Sequence, residues 1–248
     1  MAIMRVSNVE FDKWPEFRSA VRQLMQDGTY ASLVQIHAER VTDPDGFVHS
    51  RHRMHGSQFG PTGFRRFLPW HRAYLIAFER ELRRIDSALS IPYWDWDNDE
   101  GKLNSVDNFL GLSSGRNLGP LPGEAPDMER RSWFSDRATT RMFENFTGDY
   151  YTFSRALEGG VHNSGHGWVG GDMGNSMISP NDPIFWMHHA QIDRIWAVWQ
   201  PINPNEQAFL EDEERFLDPW EGEFDVDSID RIADLGTDSY EYQPPPNP

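Results

Sequence analysis

The segment DPIFWMHHAQIDRIW, which begins at Asp182, places two adjacent histidines in an apolar and aromatic stretch. Burying an imidazole is unfavourable unless its ring nitrogens find partners. Asp182 as N-cap and Pro183 at the first helical position predict a helix that ends near Trp199. Consecutive helical residues point about 100° apart, so His188 and His189 cannot both face one metal ion. The segment therefore predicts a buried helix that carries one ligand and one packing histidine.

The neighbours of His189 make it the better ligand. Phe185 lies four residues before it and Asp193 four residues after it, so a helix places a ring and a carboxylate on the same face. Carboxylates close to metal-bound imidazoles fix the orientation of the ring. We expect Phe185 to lie against His189 and Asp193 to lie near it. For His188 we expect packing, with one ring nitrogen on a backbone carbonyl.

Composition excludes several classes of protein. The chain has 248 residues, 38% of them hydrophobic, with ten tryptophans, which is enough for a sizeable core. It has no cysteine, so disulfides, thiolate metal sites and cysteine nucleophiles are excluded. A formal net charge of −16 argues against nucleic-acid binding. The chain contains no run of about 18 apolar residues, so the sequence predicts no membrane span. Any metal must therefore be held by His, Asp or Glu.

Apolar spacing predicts a mainly α fold. We expect further helices over residues 12–26, from an N-cap at Thr29, from about Pro69, and over residues 152–168. Residues 41–66 and 98–138 are rich in turn-forming and polar residues, which predicts two long loops.

The remaining histidines strengthen the metal interpretation. His162 and His166 are four apart, so they share one face of a helix and can bind one ion together. The surrounding residues contain neither the HExxH pattern of zinc proteases nor the ExxH pattern of di-iron bundles. His37 and His71 lie on predicted helices upstream, and Phe67 stands four residues before His71. Six neutral imidazoles, three per ion and without a thiolate, suit copper.

Four segments resemble, in family order, the signatures of the type 3 copper family of tyrosinases, catechol oxidases and hemocyanins. They are FLPWHRAYLIAFE, IPYWDWDND, LEGGVHNSGHGWVGGDM and SPNDPIFWMHHAQIDRIWAVWQ. The resemblance implies an antiparallel four-helix bundle that holds a dinuclear copper site, with long irregular loops. It also implies a single copper domain over residues 1–242, followed by a Pro-rich tail over residues 243–248.

The resemblance implies a ligand set for two copper ions. The first copper takes His37 and His71, and the second takes His162, His166 and His189. Thr62 occupies the usual family position of the sixth ligand. His55 is the preferred substitute, and His49 and His52 are the alternatives. With no cysteine, the chain also lacks the thioether bridge of some relatives, as bacterial members do.

The implied activity is oxidation of phenols by O2, both hydroxylation of monophenols and oxidation of o-diphenols to o-quinones. The alternatives are an oxygen carrier of the hemocyanin type and an o-aminophenol oxidase. In tyrosinases a Glu and an Asn hold a water that takes the phenolic proton, and here Glu158 and Asn163 correspond to them. The spacing from Glu158 to His162 is shorter than the family leads us to expect. The expected partners are a phenolic small molecule and O2, and a copper-delivery protein is a further candidate partner.

The ends of the chain carry two further expectations. Tyr240 and Tyr242 resemble the Tyr-x-Tyr motif that closes the family core against an arginine, here Arg5. We therefore expect the core to be complete at Tyr242, and deletion of residues 243–248 to leave stability unchanged. The N-terminus shows no secretion signal, which predicts a cytoplasmic protein or one exported with a partner.

Overall fold

The computed structural model describes residues 2–41, 53–98 and 137–244. This part of the chain is mainly helical, as the sequence predicts. In chain order its main elements are β1 (Ile3–Arg5), α1 (Trp14–Gln26), α2 (Thr29–Val41), α3 (Gly56–Phe59), α4 (Pro61–Ile85), α5 (Arg137–Glu144), α6 (Tyr150–Leu157), a π-helical turn (Glu158–His162), α7 (Asn163–Val169), α8 (Ile184–Trp199) and β2 (Tyr240–Tyr242). Among the described residues, no helix is long and apolar enough to cross a membrane. Helix α4 is central, because α1, α3, α6 and α8 all contact it.

The predicted start of α4 was wrong. The helix begins at Pro61, and Pro69, taken as its first residue, lies inside it. Proline has no N–H, so Pro69 cannot bond to the carbonyl of Arg65. The hydroxyl of Tyr150 donates to this carbonyl at 3.0 Å. A hydrogen bond from α6 thus replaces one that the helix lacks, and the end of the predicted loop over residues 41–66 is helical.

The other helix starts differ from the predictions by a residue or two. Helix α8 begins at Ile184, whose amide donates to Asp182 Oδ1 at 3.0 Å, so Asp182 satisfies the helix end from one position earlier. The helix ends at Trp199 as predicted, and its residues are buried on nearly every side. Thr29 is the first residue of α2 rather than its cap, and Asp27 Oδ1 accepts from the Thr29 amide at 3.0 Å.

The helical segment expected over residues 152–168 spans α6, the π-helical turn and α7. Asp149 caps its start by accepting from the Thr152 amide at 2.7 Å. The segment is interrupted at Gly160, whose φ of −93° and ψ of −109° are not helical. Because glycine has no Cβ, it adopts this backbone geometry at little cost. The interruption separates Glu158 from His162, at the end of the π-helical turn, and from α7, which carries His166.

The two ends of the described chain meet as predicted. Strands β1 and β2 pair in parallel, with Ile3 opposite Tyr240 and Arg5 opposite Tyr242. The Arg5 guanidinium lies 3.6 Å from the centroid of the Tyr240 ring. It also donates to the Tyr242 hydroxyl at 3.0 Å and to Glu79 on α4. The resemblance to the Tyr-x-Tyr motif therefore predicted this contact correctly.

The expected position of Asp193 beside His189 was wrong. Asp193 Oδ2 accepts from the hydroxyls of Tyr240 and Tyr242 at 2.5 and 2.7 Å. Its Oδ1 accepts from Arg72 Nε at 2.6 Å. The carboxylate therefore joins α4, α8 and β2 inside the core. The i, i+4 spacing gave the correct helix face but could not identify the partners that reach it from other elements.

The bonded chain also extends one residue beyond the predicted boundary at Tyr242. The amide of Gln243 donates to the Arg5 carbonyl at 2.9 Å. The hydroxyl of Tyr93 donates to the Gln243 carbonyl at 3.0 Å. Deletion of residues 243–248 would remove both bonds, so the structure now leads us to expect a loss of stability from it. The matched control for a deletion that removes the closing strand is therefore the shorter deletion of residues 245–248.

Candidate metal centre

Three buried histidines from different parts of the chain form a first group. His37 lies on α2, His55 directly precedes α3, and His71 lies on α4. One ligand atom from each lies within 4.8 Å of the others. The structure thus brings His55 to the two histidines that the resemblance had assigned to the first copper. The alternatives His49 and His52 lie outside the described residues.

His162, His166 and His189 form a second group. His166 Nε2 lies 3.1 Å from His162 Nε2 and 3.3 Å from His189 Nε2. Nitrogen ligands about 2.0 Å from an ion at near-tetrahedral angles are about 3.3 Å apart. The three nitrogens therefore have the spacing of a ligand set around one metal ion.

The two groups lie side by side. The rings of His71 and His189 are stacked, with centroids 4.2 Å apart and planes 7° apart. The centroids of His55 and His162 are 6.5 Å apart. The six imidazoles therefore form one cluster with two adjacent three-nitrogen sites.

The hydrogen bonds of the imidazoles fit metal binding. Nδ1 of His71 donates to the Phe67 carbonyl at 2.8 Å, and Nδ1 of His166 donates to the Met173 carbonyl at 2.8 Å. A proton on Nδ1 leaves the Nε2 lone pair free for a metal. Among the described residues, the buried His71 Nε2 has no hydrogen-bond partner. A buried nitrogen of this kind is costly unless an ion takes its lone pair.

Burial keeps the imidazoles neutral. Loss of solvent lowers the pKa of His55 to about 3 and that of His166 to about 4. The pKa values of His37, His71, His162 and His189 are also lowered, first by desolvation and then by the neighbouring histidines. Only a neutral imidazole offers a lone pair to a metal, so the cluster is prepared for metal binding near pH 7.

His188 has the packing role that the sequence predicted. Its Nε2 donates to the carbonyl of His162 at 3.1 Å. Its ring packs against both Trp94 and Trp96, with centroids 5.9 and 5.7 Å away. A Cβ on Gly165 would lie 2.3 Å from the His188 ring, so α7 approaches α8 closely only because this residue is glycine. His188 thereby supports the segment that carries His162 and His166.

Two phenylalanines wall the cluster. As predicted, Phe185 lies against His189 with centroids 4.1 Å apart, and Phe67 lies against His71 at 4.7 Å. Each also reaches a histidine of the other group, which the sequence did not predict: Phe67 is 4.7 Å from His162 and Phe185 is 5.2 Å from His37. Apolar rings at these positions limit the access of water to both sites.

The structure separates the two residues expected to act on the phenolic proton. Asn163 lines a cavity next to the histidines, and its Oδ1 lies 3.0 Å from His162 Nδ1. Glu158 is fully buried and is not among the cavity-lining residues. Its carboxylate accepts from the Gly56 amide and from both the amide and the hydroxyl of Ser57. No sequence signal linked Glu158 to these two residues, because about one hundred positions separate them.

The cavity has a volume of about 290 Å³ and opens to the surface beside four of the histidines. Its described lining consists of His37, His55, Ser57, Gln58, His162, Asn163, His166, Gly167, Met173, Gly174, Ser176 and Ser179. None of these described residues is a carboxylate, lysine or arginine. The cavity therefore offers a small, uncharged chamber next to two metal sites, which suits a planar aromatic ring.

Comparison with known sequences identifies relatives of this chain. A family model described as the common central domain of tyrosinase matches residues 27–122 and 121–202. The tyrosinase of Streptomyces glaucescens is 35% identical over 231 residues, which cover 78% of this chain and 80% of that protein. The tyrosinase of Streptomyces antibioticus is 33% identical and covers 76% and 79%, respectively.

Solved structures share the fold. A functional unit of octopus hemocyanin superposes with a TM-score of 0.70 and 23% identity, covering 98% of this chain and 68% of that one. A latent aurone synthase, described as a polyphenol oxidase, superposes with a TM-score of 0.69 and 20% identity, covering 100% and 59%. At these identities the likeness concerns the fold alone.

Proposed function

The chain belongs to the tyrosinase family, and from this premise we propose that it is a copper-dependent oxidoreductase that oxidises phenols with O2. The observation that carries the proposal is the pair of adjacent three-histidine groups beside an open cavity. We place the first copper on His37, His55 and His71, and the second on His162, His166 and His189. The helices α2, α4, α7 and α8 bear four of these ligands, and His162 ends the π-helical turn that leads into α7. These four helices would form the four-helix bundle around a dinuclear site.

The copper pair, when bound, supplies the redox chemistry by which O2 takes electrons from a phenol. The chain supplies the geometry. Hydrogen bonds to the carbonyls of Phe67 and Met173 hold the rings of His71 and His166 with Nε2 toward the metal sites. Phe67 and Phe185 keep water from the far side of the cluster. Among the described residues, the cavity beside the histidines is the approach that we assign to a phenol.

Asn163 is the residue that we place in the proton step. A phenol binds metal as its phenolate, so a positioned proton acceptor speeds its entry. Oδ1 of Asn163 bonds to His162 Nδ1, which leaves the amide NH₂ group to donate to a water beside the substrate. That water would accept the phenolic proton and pass it to solvent through the open cavity. Glu158, which the resemblance pairs with Asn163, has both carboxylate oxygens occupied by donors from Gly56 and Ser57. Those contacts favour a structural use of Glu158.

The test of the proposed function is a substrate panel. The apoprotein is loaded with copper and offered L-tyrosine, L-DOPA, catechol and o-aminophenol under O2. We expect two copper ions per chain and quinone formation from the o-diphenols. Reversible O2 binding without any product would instead indicate an oxygen carrier. Turnover of o-aminophenol alone would indicate an aminophenol oxidase.

Replacing Asn163 by alanine is expected to separate the two steps of phenol oxidation. Hydroxylation of L-tyrosine should fall by about 10²-fold or more, the usual contribution of a proton acceptor. Oxidation of L-DOPA should change far less, because catechols are more acidic. The measurement is kcat for both substrates at equal copper content. Asn163→Asp, which keeps an acceptor for His162 Nδ1, is the matched control for that bond. Equal losses on both substrates would assign Asn163 a structural role only.

A further inference from the structure

We propose that Glu158 is a positioning residue that holds His55 in place and thereby sets the copper affinity of the first site. The inference rests on the proposed copper ligation by His55. Glu158 Oε2 accepts from the Gly56 amide at 3.0 Å, and Oε1 accepts from the Ser57 amide and hydroxyl at 2.9 and 2.7 Å. Gly56 and Ser57 follow His55 directly. Three donors from these two residues thus converge on one buried carboxylate.

His55 depends on such support more than the other ligands do. It does not lie within a helix but precedes the four-residue helix α3. Hydrogen bonds from Nδ1 to nearby carbonyls orient His71 and His166. Nδ1 of His55 has no partner among the described residues; the same holds for His37 and His189, but helices fix the backbone of those two. The direction of its ring therefore depends on how firmly its backbone is held.

The backbone of His55 is also confined by α4. A Cβ on Gly63, in the first turn of α4, would lie 2.4 Å from the His55 carbonyl oxygen. A Cβ on Gly56 would lie 2.0 Å from the ring of Phe64. These short distances show that the segment rests directly on α4. The contact with α4 and the hydrogen bonds to the carboxylate of Glu158 together hold the segment that carries His55.

Glu158 links this segment to the second metal site. It lies at the start of the π-helical turn that ends at His162. Its carbonyl oxygen is 3.3 Å from His162 Nδ1, while its side chain bonds the residues that follow His55. A buried carboxylate is stable only when charge-assisted hydrogen bonds replace its lost hydration. Burial raises the pKa of Glu158, and the three bonds to the His55 segment offset part of that cost.

The test is Glu158→Gln, which has nearly the same shape but offers only one acceptor oxygen. Cu(I) affinity is measured without O2 by competition with a chromogenic Cu(I) chelator, in two single-site backgrounds. In His189→Ala, where the first site is the one left intact, Glu158→Gln should weaken Cu(I) binding by about 10–100-fold, the usual effect of losing a group that orients a ligand. In His55→Ala, where the second site is left, the same change should leave the affinity within about twofold of its background, well below that range.

Two further variants keep the proposal open to refutation. Ser57→Ala removes one of the three donors and should weaken Cu(I) binding at the first site by less than Glu158→Gln does. This milder variant tests the proposal if Glu158→Gln folds poorly. Glu144→Gln removes a carboxylate that pairs with Arg194 at 2.8 Å and should leave Cu(I) binding at wild-type strength. Unchanged first-site affinity in both Glu158→Gln and Ser57→Ala, or equal losses at both sites, would overturn the proposal. Two tightly bound copper ions without phenol oxidation would reject the proposed function but not the proposed role of Glu158.

Discussion

Replacing His55 by alanine is expected to remove one of the two copper ions and to abolish phenol oxidation, while the second ion stays bound. His55 is buried at the edge of the first group, and its ring centroid lies 5.5 Å from that of His37 and 5.3 Å from that of His71. Two imidazoles alone cannot complete a three-nitrogen copper site. The measurement is copper per chain, together with kcat on L-DOPA.

The matched controls are His49→Ala and His52→Ala, the two alternatives that sequence reasoning left open. Each control should keep two copper ions and wild-type activity. If one of them loses the first copper while His55→Ala retains it, the assignment of the sixth ligand is wrong. Because the second group is complete without His55, its copper serves as an internal reference for correct folding.

Deleting residues 239–248 is expected to lower the free energy of unfolding by about 3–5 kcal/mol, the range for loss of a large buried side chain or of one partner of a buried ion pair. The deletion removes Tyr240, which is fully buried, and Tyr242. Both hydroxyls donate to Asp193 Oδ2, which would then lack two of its partners. The measurement is denaturant unfolding, with hydrogen exchange at the β1 amides.

The control for this prediction is deletion of residues 245–248, which spares Gln243 and its bonds to Arg5 and Tyr93. This shorter deletion should leave the unfolding midpoint unchanged. If both deletions unfold at the wild-type midpoint, the tail does not contribute to closing the core. If both lower it equally, the stabilising contacts lie beyond Pro244.

Much of the site was predictable because its chemistry is local. The HxxxH spacing of His162 and His166 defines one face of a helix, and the structure brings both to His189. The 100° turn between His188 and His189 separated the ligand from the packing residue, and His188 donates to a carbonyl as expected. Phe185 lies on His189 because i and i+4 residues of a helix are neighbours. Such relations require no knowledge of the rest of the fold.

The failed predictions share a physical cause. Pro69 was expected to begin a helix, but the hydroxyl of Tyr150 compensates for its missing N–H from another element. Asp193 was expected beside His189, but two tyrosines and Arg72 bind it instead. In both cases a hydrogen bond from a remote part of the chain outweighed the local preference. Propensity and spacing describe single elements, so they cannot include such a bond.

The sequence by itself determined the metal chemistry to expect: a cysteine-free chain with His162 and His166 at helical spacing, further histidines on predicted helices, and the segments typical of type 3 copper proteins. Only the tertiary structure brings His55 to His37 and His71, and only it shows that the residues after His55 donate to Glu158. The bond from Gly56 to Glu158 spans 102 positions. No periodic pattern reports a contact at that separation, because it forms only after α4, the π-helical turn and the His55 segment have packed together.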